Sequence, residues 1–206
     1  MQQHKNHVIF DEINYDRNKL INFVNDFKDC VVKHSDWQKT LNGGTQSYEV
    51  PDGYNAIDTT QKEGKFPSEY PEVQELMSKF KIEIKKEHVI INHYDVGFWL
   101  RPHTDHACKC SIMFPILPDD GDAPLTFHDV SPSVFKIATD YIDYKNNIDY
   151  KMHYNMKHPT MFTTQVPHSV DEVKKERIYL KFMVFDYTFN QLIEMHEKGE
   201  LIDNTK

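Results

Sequence analysis

A histidine followed two residues later by an aspartate can bind a metal ion, because ligands two apart at a strand end project to the same side. The chain carries three such tripeptides: His34-Ser-Asp36, His93-Tyr-Asp95 and His103-Thr-Asp105. With 12 His and 19 Asp in 206 residues, chance alone supplies about one, so context has to choose among them. His34-Ser-Asp36 comes after a helical stretch, where an imidazole interacts well with the helix dipole and needs no metal. His93-Tyr-Asp95 stands before Gly97, where Asp95 can open a turn. His103-Thr-Asp105 has the richer setting. Trp99, Arg101, His103 and Asp105 share one strand face, and Gly97 permits a bulge or turn that resets parity after Asn92 and Tyr94.

A facial triad of two imidazoles and one carboxylate needs one more histidine, brought from a distant strand. Pro167-His168 is the candidate, because Arg177 stands nine residues beyond His168, at the start of the last long strand. A buried Arg there requires a strong acceptor, and a carboxylate offers bidentate pairing. One segment would then supply a third ligand and an anchor for an anionic cosubstrate. The alternative is an Arg177 exposed at the strand end, beside the solvated Lys174, Lys175 and Glu176.

The elements that must position these residues can be read from periodicity. His7 to Phe10 is a candidate strand, and Arg17 to Lys33 a helix capped by Asp16, with Leu20, Phe23, Val24, Phe27, Cys30 and Val31 on one face. Asn42-Gly43-Gly44 is a turn, and Pro71 to Phe80 a second helix. Strands are expected at Glu87 to Tyr94, Trp99 to Asp105, Cys110 to Leu117, Leu125 to His128, Lys151 to Asn155, Met161 to Gln165 and Arg177 to Tyr187. Pro115 suggests an edge or strand end. Helical segments close the reading at Ser133 to Tyr144 and Phe189 to Lys198. This order describes a single α+β domain, mainly a closed or sandwiched β core.

Taken together, Asn92-x-Tyr94, Gly97, His103-x-Asp105, His168 and Arg177 resemble the Fe(II)- and 2-oxoglutarate-dependent dioxygenases, over roughly residues 89–184. The resemblance implies a double-stranded β-helix, or jelly roll, over about 87–188, helical support over about 1–86 and a closing helix at about 189–198. It implies that His103, Asp105 and His168 hold iron, that Arg177 pairs with the distal carboxylate of 2-oxoglutarate, and that Tyr94 and Asn92 hydrogen-bond to this cosubstrate. The triad leaves three metal positions open, for the keto and carboxylate oxygens of 2-oxoglutarate and for O2. The implied reaction converts 2-oxoglutarate and O2 to succinate and CO2 and hydroxylates an unactivated C–H of an amino-acid side chain, free or in a peptide, or of a small metabolite. Asp105 favours hydroxylation, since halogenating members lack this carboxylate.

Within the family, the nine-residue step to Arg177 is similar to the prolyl-hydroxylase-like branch. Asp122-Ala-Pro-Leu-Thr-Phe-His128 resembles the Gly-Gly-x-Thr-x-Phe stretch of that branch but lacks both glycines. Asn92-x-Tyr94 is also similar to the alkylated-base demethylases, which makes nucleic-acid demethylation an alternative. A non-catalytic metal- or carboxylate-binding jelly roll is another, because the fold hosts many functions.

Composition narrows these options. Lys and Arg number 24 against 32 Asp and Glu, a net charge of -8 that argues against binding a phosphate backbone. Three cysteines cannot make a disulfide framework and point to a reducing, cytoplasmic compartment. No apolar run reaches the ~18 residues of a membrane span, and the first residues lack a secretory apolar region. Cys108 and Cys110 read as small buried residues. His106 and His128 are spare ligands or hydrogen-bonded imidazoles, Trp99 and Arg101 candidates for a substrate entrance or core packing, and Asp119 to Asp122 a solvated turn. Lys181 shares parity with Arg177 and Tyr179, so a bulge must turn it outward or a function must hold it inward. Substrate choice would lie in the loops at 42–68 and 131–159.

Overall fold

The computed structural model describes residues 2–41, 52–105, 107–118, 124–129, 148–203 and 205. The expected turn at Asn42-Gly43-Gly44, the helix at Ser133 to Tyr144, the Asp119 to Asp122 turn and His106 lie outside them. Along the chain the elements are β1 (Gln2–His4), β2 (His7–Ile9), α1 (Arg17–Asp26), β3 (Val31–Lys33), α2 (His34–Leu41), β4 (Tyr54–Ile57), α3 (Thr60–Glu63), α4 (Pro71–Met77) and β5 (Val89–Tyr94). Then come β6 (Leu100–His103), β7 (Cys110–Leu117), β8 (Leu125–His128), β9 (Ile148–Met152), β10 (Thr160–Thr163), β11 (His168–Val170), β12 (Arg177–Val184) and α5 (Phe189–Glu197). The strands form two antiparallel sheets, one in the order β1-β2-β10-β7-β12-β5-β4-β3 and one in the order β6-β11-β8-β9. Among the described residues no helix is long and apolar enough to cross a membrane.

Strand β12 shows why the large sheet needs cover on both faces. Its even positions, Ile178, Leu180, Phe182 and Val184, join a core with Val89, Ile91, Ile112 and Phe114. Helices α1, α4 and α5 close this side with Leu20, Phe23, Val24, Val73, Leu76, Phe189 and Leu192. Asp16 caps α1 by accepting from the Asn18 and Lys19 amides, and Thr188 forms a capping box with Gln191 on α5. The odd positions of β12 are Arg177, Tyr179 and Lys181, on the face toward the small sheet. There Tyr94, Met113, Phe162 and Tyr179 of the large sheet pack against Leu125, Phe127, Met152 and Val170 of the small one. The period of two thus divides β12 into an apolar face and a face able to carry chemistry.

Several boundaries differ from the sequence reading. Helix α1 ends at Asp26, not Lys33, and a 3-10 turn at Lys28–Cys30 leads into β3. Phe27 and Cys30 are buried by that turn, whose period of three mimics the helical spacing, while β-branched Val31 and Val32 pair with Ile57 and Ala56. His34 therefore begins α2 instead of ending α1, and the dipole explanation for it fails. The first third supplies four strands, β1 to β4, as well as helices. Pro115 lies in an interior strand, but β10 pairs only with Cys110 to Met113, so the proline sits beyond its neighbour's end. Gly97 turns the chain between β5 and β6 with φ +87, a left-handed conformation that other residues resist.

Candidate metal centre

Pairing of β6 with β11 sets His168 directly opposite His103. Asp105 lies two residues after His103, and its backbone amide donates to the Thr164 carbonyl at 2.9 Å. One ligand atom from each of His103, Asp105 and His168 lies within 4.8 Å of the others. Each imidazole is aimed by its own backbone. Nδ1 of His103 donates to the Arg101 carbonyl at 2.7 Å, and Nδ1 of His168 to the Val166 carbonyl at 2.9 Å. A carbonyl can only accept, so each ring carries a proton on Nδ1 and, in its neutral form, presents the Nε2 lone pair. His103 Nε2 lies 3.5 Å from Asp105 Oδ1.

The charge states also suit a cation. Burial, reinforced by His103, pushes His168 down to about 3, so the ring is neutral at physiological pH. Burial would raise the Asp105 carboxyl, but the Lys181 ammonium holds it well below the usual carboxylate range. An ionised carboxylate beside imidazoles that offer Nε2 is a donor set that suits a divalent metal.

Arg177 stands opposite Tyr94, and Asn92 opposite Tyr179, on the face of the large sheet toward the small one. The structure buries Arg177 to 3% exposure, which excludes the exposed alternative. Its guanidinium lies 4.3 Å from the Tyr154 ring centroid, 5.2 Å from Tyr179 and 5.5 Å from Tyr94. The Tyr94 and Tyr179 hydroxyls hydrogen-bond to one another, and burial raises both above the ordinary tyrosine value, so they stay protonated. Asn92 is fully buried, and neither end of its amide has a partner among the described residues. An unsatisfied buried amide is costly unless a bound group completes it. A small cavity lined by Met113, Pro115, Tyr154, Arg177 and Tyr179 adjoins this cluster.

The other two His-x-Asp tripeptides are not part of this centre. His93 shares parity with Ile91, on the sheet face opposite Asn92 and Tyr94, and bonds to Glu176 at 2.8 Å. His34 is buried and stacked on Tyr54 at 4.0 Å. Cys108 and Cys110 are buried free thiols whose protons burial retains, Cys110 being pushed up to about 12. His128 is buried and bonds through Nε2 to Ser169 at 2.8 Å. Trp99 and Arg101 are exposed, the guanidinium 5.9 Å from the indole.

Sequence reasoning missed two supports and left a third, Lys181, without its partner. Gln165 donates from Nε2 to the carbonyls of Asp105 and Cys108, both at 2.7 Å, and ties down the loop carrying the carboxylate. Tyr154 reaches Arg177 from beyond β9 and carries no signal of its own. Lys181 has one, its inward parity, and it meets Asp105 Oδ2 at 3.3 Å.

No protein-family model matches the chain, and no curated protein does. Among solved structures it is similar to a Pseudomonas putida prolyl-4-hydroxylase, at 12% identity over 88% of this chain and 94% of that one, with a TM-score of 0.45. It is also similar to a Trichoplax adhaerens prolyl hydroxylase in complex with a hypoxia inducible factor peptide, at 13% identity over 82% and 90%, TM-score 0.44. A third is a prolyl 4-hydroxylase from Phytophthora capsici, at 12% identity over 94% and 77%, TM-score 0.37. At this distance the site must be judged by its own residues.

Proposed function

We propose that the chain is an Fe(II)- and 2-oxoglutarate-dependent dioxygenase that hydroxylates an unactivated C–H of an amino-acid side chain, free or in a peptide, or of a small metabolite. The observation that carries this reading is the convergence of His103, Asp105 and His168, both imidazoles turned by backbone carbonyls to present Nε2. The donor set fits iron: two nitrogens and one carboxylate oxygen on one side, with the remaining positions open. Bound there, the iron would supply the oxidative chemistry by which 2-oxoglutarate, O2 and substrate C–H become succinate, CO2 and alcohol.

The chain's own residues would bind and orient. Arg177 would receive the distal carboxylate of 2-oxoglutarate as a two-pronged donor in a site walled by aromatic rings. Tyr94 would donate its hydroxyl, and Asn92 would complete its buried amide against the same cosubstrate. The strand order supports a double-stranded β-helix over about 87–188, because β5, β7, β10 and β12 lie in one sheet and β6, β8, β9 and β11 in the other. Residues 1–86 and 189–198 would support this core within one domain. The free thiols of Cys30, Cys108 and Cys110 fit a reducing, cytoplasmic setting.

An enzyme of this kind would turn over slowly without substrate, so the test needs no substrate identity. Protein supplied with Fe(II), 2-oxoglutarate and O2 is expected to release succinate, and Asp105→Ala to release none above the metal-only background. Equal succinate from both would overturn the proposal.

A further inference from the structure

Lys181 is an ammonium placed where a strand core calls for an apolar residue. Its Cα partners across the sheet are Ile90 and Met113, each 2% exposed, and its own side chain is 13% exposed. Burying a cation there costs heavily unless it is paired. Its Nζ lies 3.3 Å from Oδ2 of Asp105, while the other oxygen, Oδ1, is the one facing His103 Nε2. The carboxylate is thus divided, one oxygen toward a cation the chain carries and one toward the position a metal would take. The other titratable groups in electrostatic reach of this pair are His34, Tyr94, His103, Cys108 and His168, of which burial keeps His34, Tyr94, Cys108 and His168 uncharged.

We propose that Lys181 is the resident counter-ion of the metal-ligating carboxylate, a positioning residue that keeps the metal-free site folded and limits Asp105 to one-oxygen coordination. This rests on the reading of the triad as a metal centre. Without Lys181, Asp105 would be left as a half-buried charge without its ammonium partner in the metal-free protein. A divalent ion would then replace the missing positive charge and bind more tightly, because the repulsion from the ammonium would be gone. With Lys181 in place, metal can bind and leave without unfolding the site.

The test compares wild type, Lys181→Met, Asp105→Asn and the double variant, each as the full chain stripped of metal, by thermal melting with and without Mn2+. Lys181→Met is expected to melt roughly 5–10 °C below wild type when metal-free, since breaking a buried ion pair in a domain of this size has that scale. Mn2+ should restore most of the loss and bind at least tenfold more tightly than to wild type. The double variant should melt near metal-free wild type, because removing both charges leaves neither unpaired. A Lys181→Met chain that fails to fold while the double variant folds is the same result in stronger form. The proposal is overturned if Lys181→Met melts with wild type, or if Asp105→Asn fails to rescue it, which would reduce Lys181 to packing. Absence of Mn2+ binding in wild type would sink both this proposal and the functional one. Mn2+ binding with the expected melting cycle but no succinate formation would sink only the latter.

Discussion

Replacing Arg177 by Met removes the guanidinium and leaves an apolar side chain of similar length among Tyr94, Tyr154 and Tyr179. The fold should tolerate this, because exchanging a buried cation for an apolar group also removes its desolvation cost. Cosubstrate binding should not tolerate it. A charge-assisted pair in a site of 3% exposure is worth about 2–3 kcal/mol, which at 1.4 kcal/mol per decade is a roughly 30- to 150-fold weaker Kd for 2-oxoglutarate. Anaerobic titration of the Mn2+-loaded protein by calorimetry measures it. A control sharpens the result: a 2-oxo acid lacking the distal carboxylate, such as 2-oxobutyrate, should bind wild type and Arg177→Met alike. Arg177→Lys should fall between, keeping the charge but losing the planar fork. Unchanged 2-oxoglutarate affinity in Arg177→Met would refute the assignment, and an equal loss for both acids would point to general damage.

His103→Ala and His168→Ala should each abolish stoichiometric Mn2+ binding in equilibrium dialysis, whereas His93→Ala, removing a ring bonded to Glu176, should leave it intact. His34 supplies a pH test at a residue outside the triad. Burial, with the Lys181 charge, pushes it down to about 3 from 6.5, so between these values the unfolded chain binds a proton the folded chain refuses. Its contribution to stability is full above the unfolded value and is lost as pH falls, by about 1.4 kcal/mol per unit in that window. His34→Phe should flatten the pH dependence of urea unfolding by that amount, and an unchanged slope would contradict the burial argument. Phe182→Ala, at a position fully buried under the helices, should lower unfolding stability by ~3–5 kcal/mol in urea titrations.

The candidate site residues are more legible in the sequence than the scaffold around them, for a physical reason. Long runs of β-branched and apolar residues stand out, so β5, β7 and β12 can be placed within a few residues, and Asn92 and Tyr94, two apart, fall on one face. Once the face is known, position relative to Gly97, and not the tripeptide itself, separates His103 and Asp105 from His93 and Asp95. The short strands β1, β3, β4 and β11, of three or four residues each, carry too little pattern to register in the sequence. Periodicity overextends α1 because the 3-10 turn after it buries Phe27 and Cys30 at nearly helical spacing. Tyr154 is invisible as a partner of Arg177 because tertiary approach, and no local pattern, brings its ring there. Lys181 shows the opposite case: a charge on a buried parity signals that a partner exists, though only the fold reveals that the partner is Asp105.

The central claim is tested most directly under anaerobic conditions, by adding Fe(II) and then 2-oxoglutarate to metal-free protein and recording the visible spectrum. A charge-transfer band of a chelated iron–keto acid complex is expected in wild type and should be absent in Asp105→Ala. Iron binding without a band in wild type would contradict the assignment of the cosubstrate site, and no iron binding at all would contradict the metal centre itself.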